Sequence, residues 1–471
     1  AIGAAASTAI GYYVTGTIVA SAIASSFATS FAISLAGSVA LSALSGKPSG
    51  SFGAQGASVV NRDQMVKQAI TNRRVIYGIS KVSGPLVFME TTENNKYLHL
   101  VIALASHEVT NIPSIYIDDD RLSSFDGDGN ITSGDLGASD QAADATLVSE
   151  SDGKWTNDHK LSGIAYIYVR LEFDQDVFPN GIPNISAMVC GKKVFDVRDS
   201  TTHFSTNPAL CMRDYLLDTD YGLGVSSSEI NDASFITAAN ECDELVNLNG
   251  EEVDFRLGPL PVPYTTIRTT DGFAYTDQAA QGISEANVNN QSVENRYTMS
   301  GTFDTNQTPK SIIENMLTSL GGTFTYTAGE FALKAASYIA PSDTLTQDNL
   351  RAGVSVKSKE SRRDQFNSVK GVFVYSAEDY KPTDYPTITS STFVSEDNNE
   401  TVFANIDFPY TISPSIAQRL AKIALFANRQ QLSLVFPCNL SAYKYQVGDT
   451  IRVTDAQDEL IRGNFNKLSS K

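Results

Sequence analysis

The spacing of apolar and polar positions changes several times along the chain, and each change predicts a different element. Residues 1–46 contain no charged side chain and no proline, and the first charge is Lys47. Within this run Ile23, Phe27, Phe31 and Leu35 recur every fourth position, beside an alanine row (Ala24, Ala28, Ala32, Ala36, Ala40) and a serine row (Ser26, Ser30, Ser34, Ser38). That spacing lays each row along one face of a helix. Small residues at every fourth position let helix backbones approach closely. The pattern predicts a hydrophobic helical arm over 1–50, with Ile23, Phe27, Phe31 and Leu35 as its membrane- or lumen-facing residues. Three uses fit the arm: packing inside an assembly, insertion into a bilayer, which takes roughly 20 residues, or a targeting peptide. The last lacks a basic leading segment.

From 51 to 200 the pattern changes to strands. Arg74–Gly78, Leu86–Met89, Leu98–Leu104 and Ile164–Val169 are short runs rich in β-branched and aromatic residues, separated by turn formers, and they predict strands of a compact barrel or sandwich. The polar stretch 118–159 is too long for an ordinary loop and predicts a hairpin or surface insertion.

Helical spacing returns after residue 200. Asn207-Pro208 supplies a cap and a proline suited to the first helical position, and Tyr221-Gly222-Leu223-Gly224 ends that helix. A second helix is predicted from about Asn231 to Val246. Residues 259–300 show no period and predict an extended loop, so 201–300 is expected to form a helical and loop domain. Thr308-Pro309 opens a third helix closed by Gly321-Gly322, followed by a hairpin around Ala328-Gly329. A strand over Val369–Tyr375 and a helix from Pro414 to Asn428, capped by Ser413, complete an α+β domain over 301–440. Residues 441–471 are expected to begin a further, incomplete β module. The predicted class is mainly β with α+β modules, built as several small barrel or sandwich domains with short helices and the amino-terminal arm.

Charge narrows the functions this pattern could serve. With 53 acidic and 35 basic side chains the net charge is −18, which disfavours a nucleic-acid binder, since such proteins need a basic surface. An anionic wall past which DNA slides without sticking remains compatible. The cysteines, Cys190, Cys211, Cys242 and Cys438, are spaced too irregularly for zinc or redox motifs. His107-Glu108 lacks the second histidine of a zinc-binding helix, and no phosphate-binding glycine loop is present. No cofactor is predicted and no catalytic residue can be named. One metal loop warrants comparison: Ser124, Asp126, Asp128, Gly129, Asn130 and Asp135 occupy calcium-loop positions. The first position is Ser, the last is the short Asp, and a strand rather than a helix precedes them. A polar turn is therefore the expectation, with calcium at Asp126, Asp128, Asn130 and Asp135 as the alternative.

The order of elements carries one resemblance. Asn207–Leu217, Tyr221–Gly224, Cys242-Asp243, Ile312–Leu317, the hairpin at 323–334, Phe366–Val369, the helix at Ala417–Phe426 and Val447–Ile451 together resemble the tail tip attachment protein family of lambda-like long-tailed bacteriophages, also called host specificity protein or central tail hub. Phe178–Pro183 and Gly191–Asp196 resemble that family's first hub domain. The resemblance implies a homotrimer in the virion that closes the tail tube and opens for genome ejection. Its implied partners are the distal tail protein, tail tube, tape-measure protein, and other tip or fibre proteins, with phage DNA passing through unbound. The family's carboxy-terminal receptor-specificity modules have no counterpart here. The alternative is a membrane-inserting tail protein whose arm helps form the DNA conduit through the host envelope. A tail-borne hydrolase is disfavoured by the lack of an acid/base set.

Overall fold

The computed structural model describes residues 10–13, 18–20, 65, 71–118, 120–121, 131–172, 178, 181–247, 293–327, 329–338, 340–341, 343–357, 365–430, 433–445 and 449–453. The first described strands, β1 (Ile10–Tyr13) and β2 (Ile18–Ala20), form an antiparallel hairpin. Helix was expected here, and these seven residues are strand instead. The run from Ile10 to Ala20 is dense in Tyr, Val, Ile and Thr, a composition that suits strands. Ile23, Phe27, Phe31 and Leu35 lie outside the described residues.

The next body comprises β3 (Arg74–Tyr77), β4 (Ile79–Val82), β5 (Leu86–Thr92), β6 (Tyr97–Ala105), β7 (Asn111–Ile117), β8 (Asp120–Arg121), β9 (Ile131–Asp135), helix α1 (Ala145–Glu150), β10 (Ala165–Glu172) and β11 (Ile185–Cys190). Two four-stranded sheets, ordered β5-β6-β10-β9 and β4-β11-β7-β8, share one core. Leu100, Ile102 and Leu104 on β6 and Ile167, Val169 and Leu171 on β10 point into it, against Val82, Ile117, Ala187 and Val189. The alternate residues Val101, Tyr166 and Tyr168 face the other side, as the two-residue period of a strand requires.

Within the stretch 118–159, expected as a hairpin or surface insertion, β8 turns back on β7 (Ile117↔Asp120), while the later part is built into the outer face. Strand β9 pairs with β10 from Tyr166↔Asp135 to Arg170↔Ile131, so residues 131–135 extend the sheet. The chain then returns as α1 and buries Leu147 and Trp155 on Val101, Tyr166 and Tyr168. Two large apolar residues among polar neighbours show no period, yet they suffice to seal the face.

The hairpin of β12 (Lys193–Asp196) and β13 (Thr201–Phe204) leads into α2 (Pro208–Leu217) and α3 (Asp232–Asp243). Strands β14 (Leu245–Asn247) and β15 (Val293–Asn295) pair across a long separation, and β16 (Gly301–Asp304) returns to β3. Helix α4 (Pro309–Thr318) precedes the hairpin of β17 (Thr323–Thr327) and β18 (Glu330–Lys334). The Asn207 side chain accepts hydrogen bonds from the Ala209 and Leu210 amides, and Thr308 does the same for Ser311, so both predicted caps are present.

Strands β19 (Asp343–Leu345) and β20 (Ser355–Lys357) lead to β21 (Ser368–Lys370) and β22 (Val372–Tyr375). The single strand expected over 369–375 is thus broken at Gly371, where a Cβ would sit 2.0 Å from the Ile406 carbonyl oxygen. After β23 (Lys381–Asp384), β24 (Ile388–Thr389), helix α5 (Ser391–Glu396) and β25 (Phe403–Asn405) comes α6 (Pro414–Asn428). Ser413 does not cap α6; its hydroxyl donates to Glu294 Oε2 at 2.8 Å.

One continuous core crosses the boundary expected near residue 300. Leu210, Tyr215 and Phe235 pack with Tyr297, Phe303, Ile313, Phe324, Phe366, Phe373, Ile416 and Leu420, and also with Val75 and Tyr77 of β3. Two short helices alone would leave their apolar faces half covered, and the later segments complete them. A small separate cluster joins Leu345, Leu434, Phe436 and Ile451. There β26 (Ser433–Val435) lies between β1 and β20, while β27 (Ile451–Val453) runs parallel to β19. Among the described residues no helix is long and apolar enough to cross a membrane.

Candidate functional site

Of the calcium-loop residues, Asp135 lies on β9, where burial raises its carboxyl above the usual range. Asp126, Asp128 and Asn130 fall outside the described residues. Among the described residues no group of three or more His, Cys, Asp or Glu side chains could hold a metal ion. His107, the start of the incomplete zinc motif, is a buried clip: the Ile76 amide donates to its Nε2 at 2.9 Å, and Nδ1 donates to the Glu108 carbonyl at 2.7 Å. Burial pushes His107 below its ordinary value and keeps it neutral. Cys211 and Cys242 carry free thiols. They sit in the main core, and burial pushes both thiols up, so they are protonated packing groups rather than nucleophiles.

The polar groups that do converge lie where the first body meets the second. Gly191 lies against β3, where a Cβ would come within 2.3 Å of the Ile76 carbonyl oxygen. This close approach positions Lys192 toward α2. Its ammonium donates to Asp214 Oδ2 at 2.7 Å and to Asp218 Oδ2 at 2.5 Å, and the Tyr77 hydroxyl donates to Asp214 Oδ2 at 2.5 Å. Burial alone would lower the Lys192 ammonium, but the two carboxylates raise it; burial would likewise raise Asp218, but Lys192 lowers it. Lys192 therefore stands as a cation between the carboxyl groups of Asp214 and Asp218, with Tyr77 as a neutral phenol whose hydroxyl burial pushes up.

The Tyr-Gly-hydrophobic-Gly turn supports this triad. A Cβ on Gly222 would meet the Tyr215 carbonyl oxygen at 2.0 Å, and the Leu223 amide donates to that same oxygen at 3.1 Å. The Gly224 amide, at φ +63°, donates to the Asp218 carbonyl at 2.9 Å. Those contacts fold the turn back on α2 and fix Asp218, while Arg73 reaches across to the Tyr221 hydroxyl at 2.9 Å. Two further ties join the same bodies: Arg74 to Asp304 at 3.1 Å, and buried Lys81 to Asp379 at 3.7 Å.

Helix α6 is pinned in the same manner. Arg419 donates to the Arg296 carbonyl at 2.6 Å and to Glu294 Oε1 at 2.9 Å, while Ser415 donates to Glu294 Oε1 at 2.5 Å. At its far end Arg429 pairs with Asp397, whose Oδ2 also accepts from Asn367 at 2.8 Å. Sequence reading missed every member of these ion pairs as a site. The lone signal was indirect: Gly191-Lys192, Asp214 and Arg419 fell inside stretches that carried the family resemblance. Chemically the clusters hold surfaces together.

No protein-family model matches the chain. It is 24% identical over 430 residues to the baseplate hub protein pb3 of Escherichia phage T5, a match spanning 77% of this chain and 42% of that protein. The chain thus spans about two fifths of the length of that relative. Among solved structures it shares its fold with a chain of the virion of a native gene transfer agent (GTA) particle, with a TM-score of 0.55, 15% identity, and coverage of 90% of this chain and 87% of the other.

Proposed function

We propose that the chain is a structural subunit of a bacteriophage-type virion tail, and more specifically the hub of the tail tip. The observation that carries the reading is the extent of the two likenesses: one reaches a baseplate hub protein across 77% of the chain and the other a virion component across 90%. A likeness this broad concerns the arrangement of modules, not one borrowed domain. The ion-pair joints support it, because a part that transmits force between tube and fibres must keep its modules in fixed relation. Three copies close the tube around an acidic, DNA-repelling lumen; the net charge of −18 suits phosphate passage. The hub anchors the distal tail and tape-measure proteins and opens at ejection. Deleting the gene tests this: the account expects tails that fail to assemble or lack their tip. Complete, infectious particles without the chain would overturn it.

A further inference from the structure

We propose that His99 is a pH-sensitive latch beneath residues 144–163, the cover that α1 and Trp155 lay over the first body, so that acid opens this cover ahead of the rest of the chain. His99 is fully buried on β6, two residues from Val101 and so on the same outer face. Hydroxyls engage both of its ring nitrogens. Thr92 of β5 lies 2.7 Å from Nε2, and Tyr168 of β10 lies 2.8 Å from Nδ1 with its ring parallel to the imidazole. The Tyr168 hydroxyl donates onward to Glu150 Oε2 of α1 at 3.3 Å. With that hydrogen spent on Glu150, Nδ1 donates to Tyr168 and Nε2 accepts from Thr92, which fixes one neutral tautomer. A single phenol thus links the imidazole to the cover.

The charged groups around the ring offer no seat for an imidazolium. Glu150 is one hydroxyl away and already accepts from Arg170 of β10 at 2.8 Å, and Arg170 adds a like charge. Glu90 of β5 pairs with Lys154 at 2.6 Å, and Asp152, in the turn after α1, is exposed to water. Burial lowers His99 below its ordinary value against the opposing pull of Glu150. The closed state therefore resists the proton, while an open, hydrated one accepts it near pH 6.5. Falling pH favours the open cover. The cover is also built to give way first. It holds one helix of six residues and no strand, and Leu147 and Trp155 are its buried apolar side chains. Asp152, Gly153, Leu161 and Gly163 take left-handed backbone, with φ between 49° and 78°, a conformation that costs most at Leu161. Segments with so few buried contacts open locally before the whole fold does.

Hydrogen exchange of the purified full chain, read by mass spectrometry at about pH 7.5 and about pH 5.5 and corrected for the intrinsic pH dependence of exchange, tests the latch. Three proteins are compared: the natural chain, His99→Gln and His159→Gln. In the natural chain, protection of 144–163 relative to α6 is expected to fall several-fold, up to about tenfold, the ratio in proton uptake between an open imidazole and a closed one that stays neutral. His99→Gln should abolish that fall. His159→Gln should keep it, because His159 packs on the Trp155 ring at 4.9 Å but is exposed in the closed state. A natural chain whose cover keeps its protection in acid would overturn the latch. So would a His99→Gln chain whose cover still opens, or loss of the effect in His159→Gln. Should His99→Gln not fold, nuclear magnetic resonance of the four histidines in the natural chain decides. His99 is expected to titrate below about pH 6.5, together with the loss of protection, and a midpoint at or above that value would overturn the proposal.

Discussion

Lys192 shows how single side chains carry the architecture. Removing one partner from a buried, hydrogen-bonded charge cluster strands the others, so Lys192→Met leaves Asp214 and Asp218 facing each other without a cation. The expected loss is about 3 kcal/mol, read from the urea midpoint, whereas Tyr77→Phe removes one hydrogen bond and costs about 1 kcal/mol. Equal effects from the two would mean that the triad is not the joint. The histidines give a pH dependence of defined sign. Burial lowers both His99 and His107 in the folded chain, so the unfolded imidazoles take up protons near pH 6.5 while the folded ones do not. Stability is therefore present above that value and is lost as pH falls through it, by up to about 0.8 kcal/mol per histidine between pH 7.5 and 6.0. A midpoint unchanged or higher at pH 6.0 contradicts this assignment. The triad was not legible as a site, because its members meet across the sequence: 137 residues separate Tyr77 from Asp214.

Elements were more legible where local chemistry decides them. The helices at Pro208 and Pro309 follow from an Asn or Thr cap and a proline at the first position, and those devices are where the sequence placed them. Strands β6 and β10 were equally clear, since both are near-continuous runs of β-branched, aromatic and other apolar residues. Legibility failed where long-range contact decides: Ser413 gives up its cap to reach Glu294, Gly371 splits a strand to admit the Ile406 carbonyl, and 131–159 joins the sheet through Leu147 and Trp155. The last point is testable. Trp155→Ala should cost about 3 kcal/mol by opening a cavity under the outer face; a detached insertion would tolerate it without measurable change. The Asp126–Asn130 loop is expected to act as a turn, so millimolar calcium should leave the melting temperature unchanged. A rise of several degrees that disappears in Asp128→Asn would reverse that expectation.

At the scale of the whole molecule the proposed reading is that modules joined by ion pairs form a hub, three copies of which close a virion tail at its tip. The mainly β class was readable from the strand-like runs and the helix punctuation. The continuity of the core across residue 300 was not, because apolar periodicity reports which face is buried and not what buries it. The most direct measurement is an electron-microscopy reconstruction of the intact particle's tail tip, with the density assigned by the course of the chain from β3 to α6. The account predicts three copies of this fold around the tail axis at the distal end of the tube. Density for the chain elsewhere in the particle, or two or six copies at the tip, would contradict it.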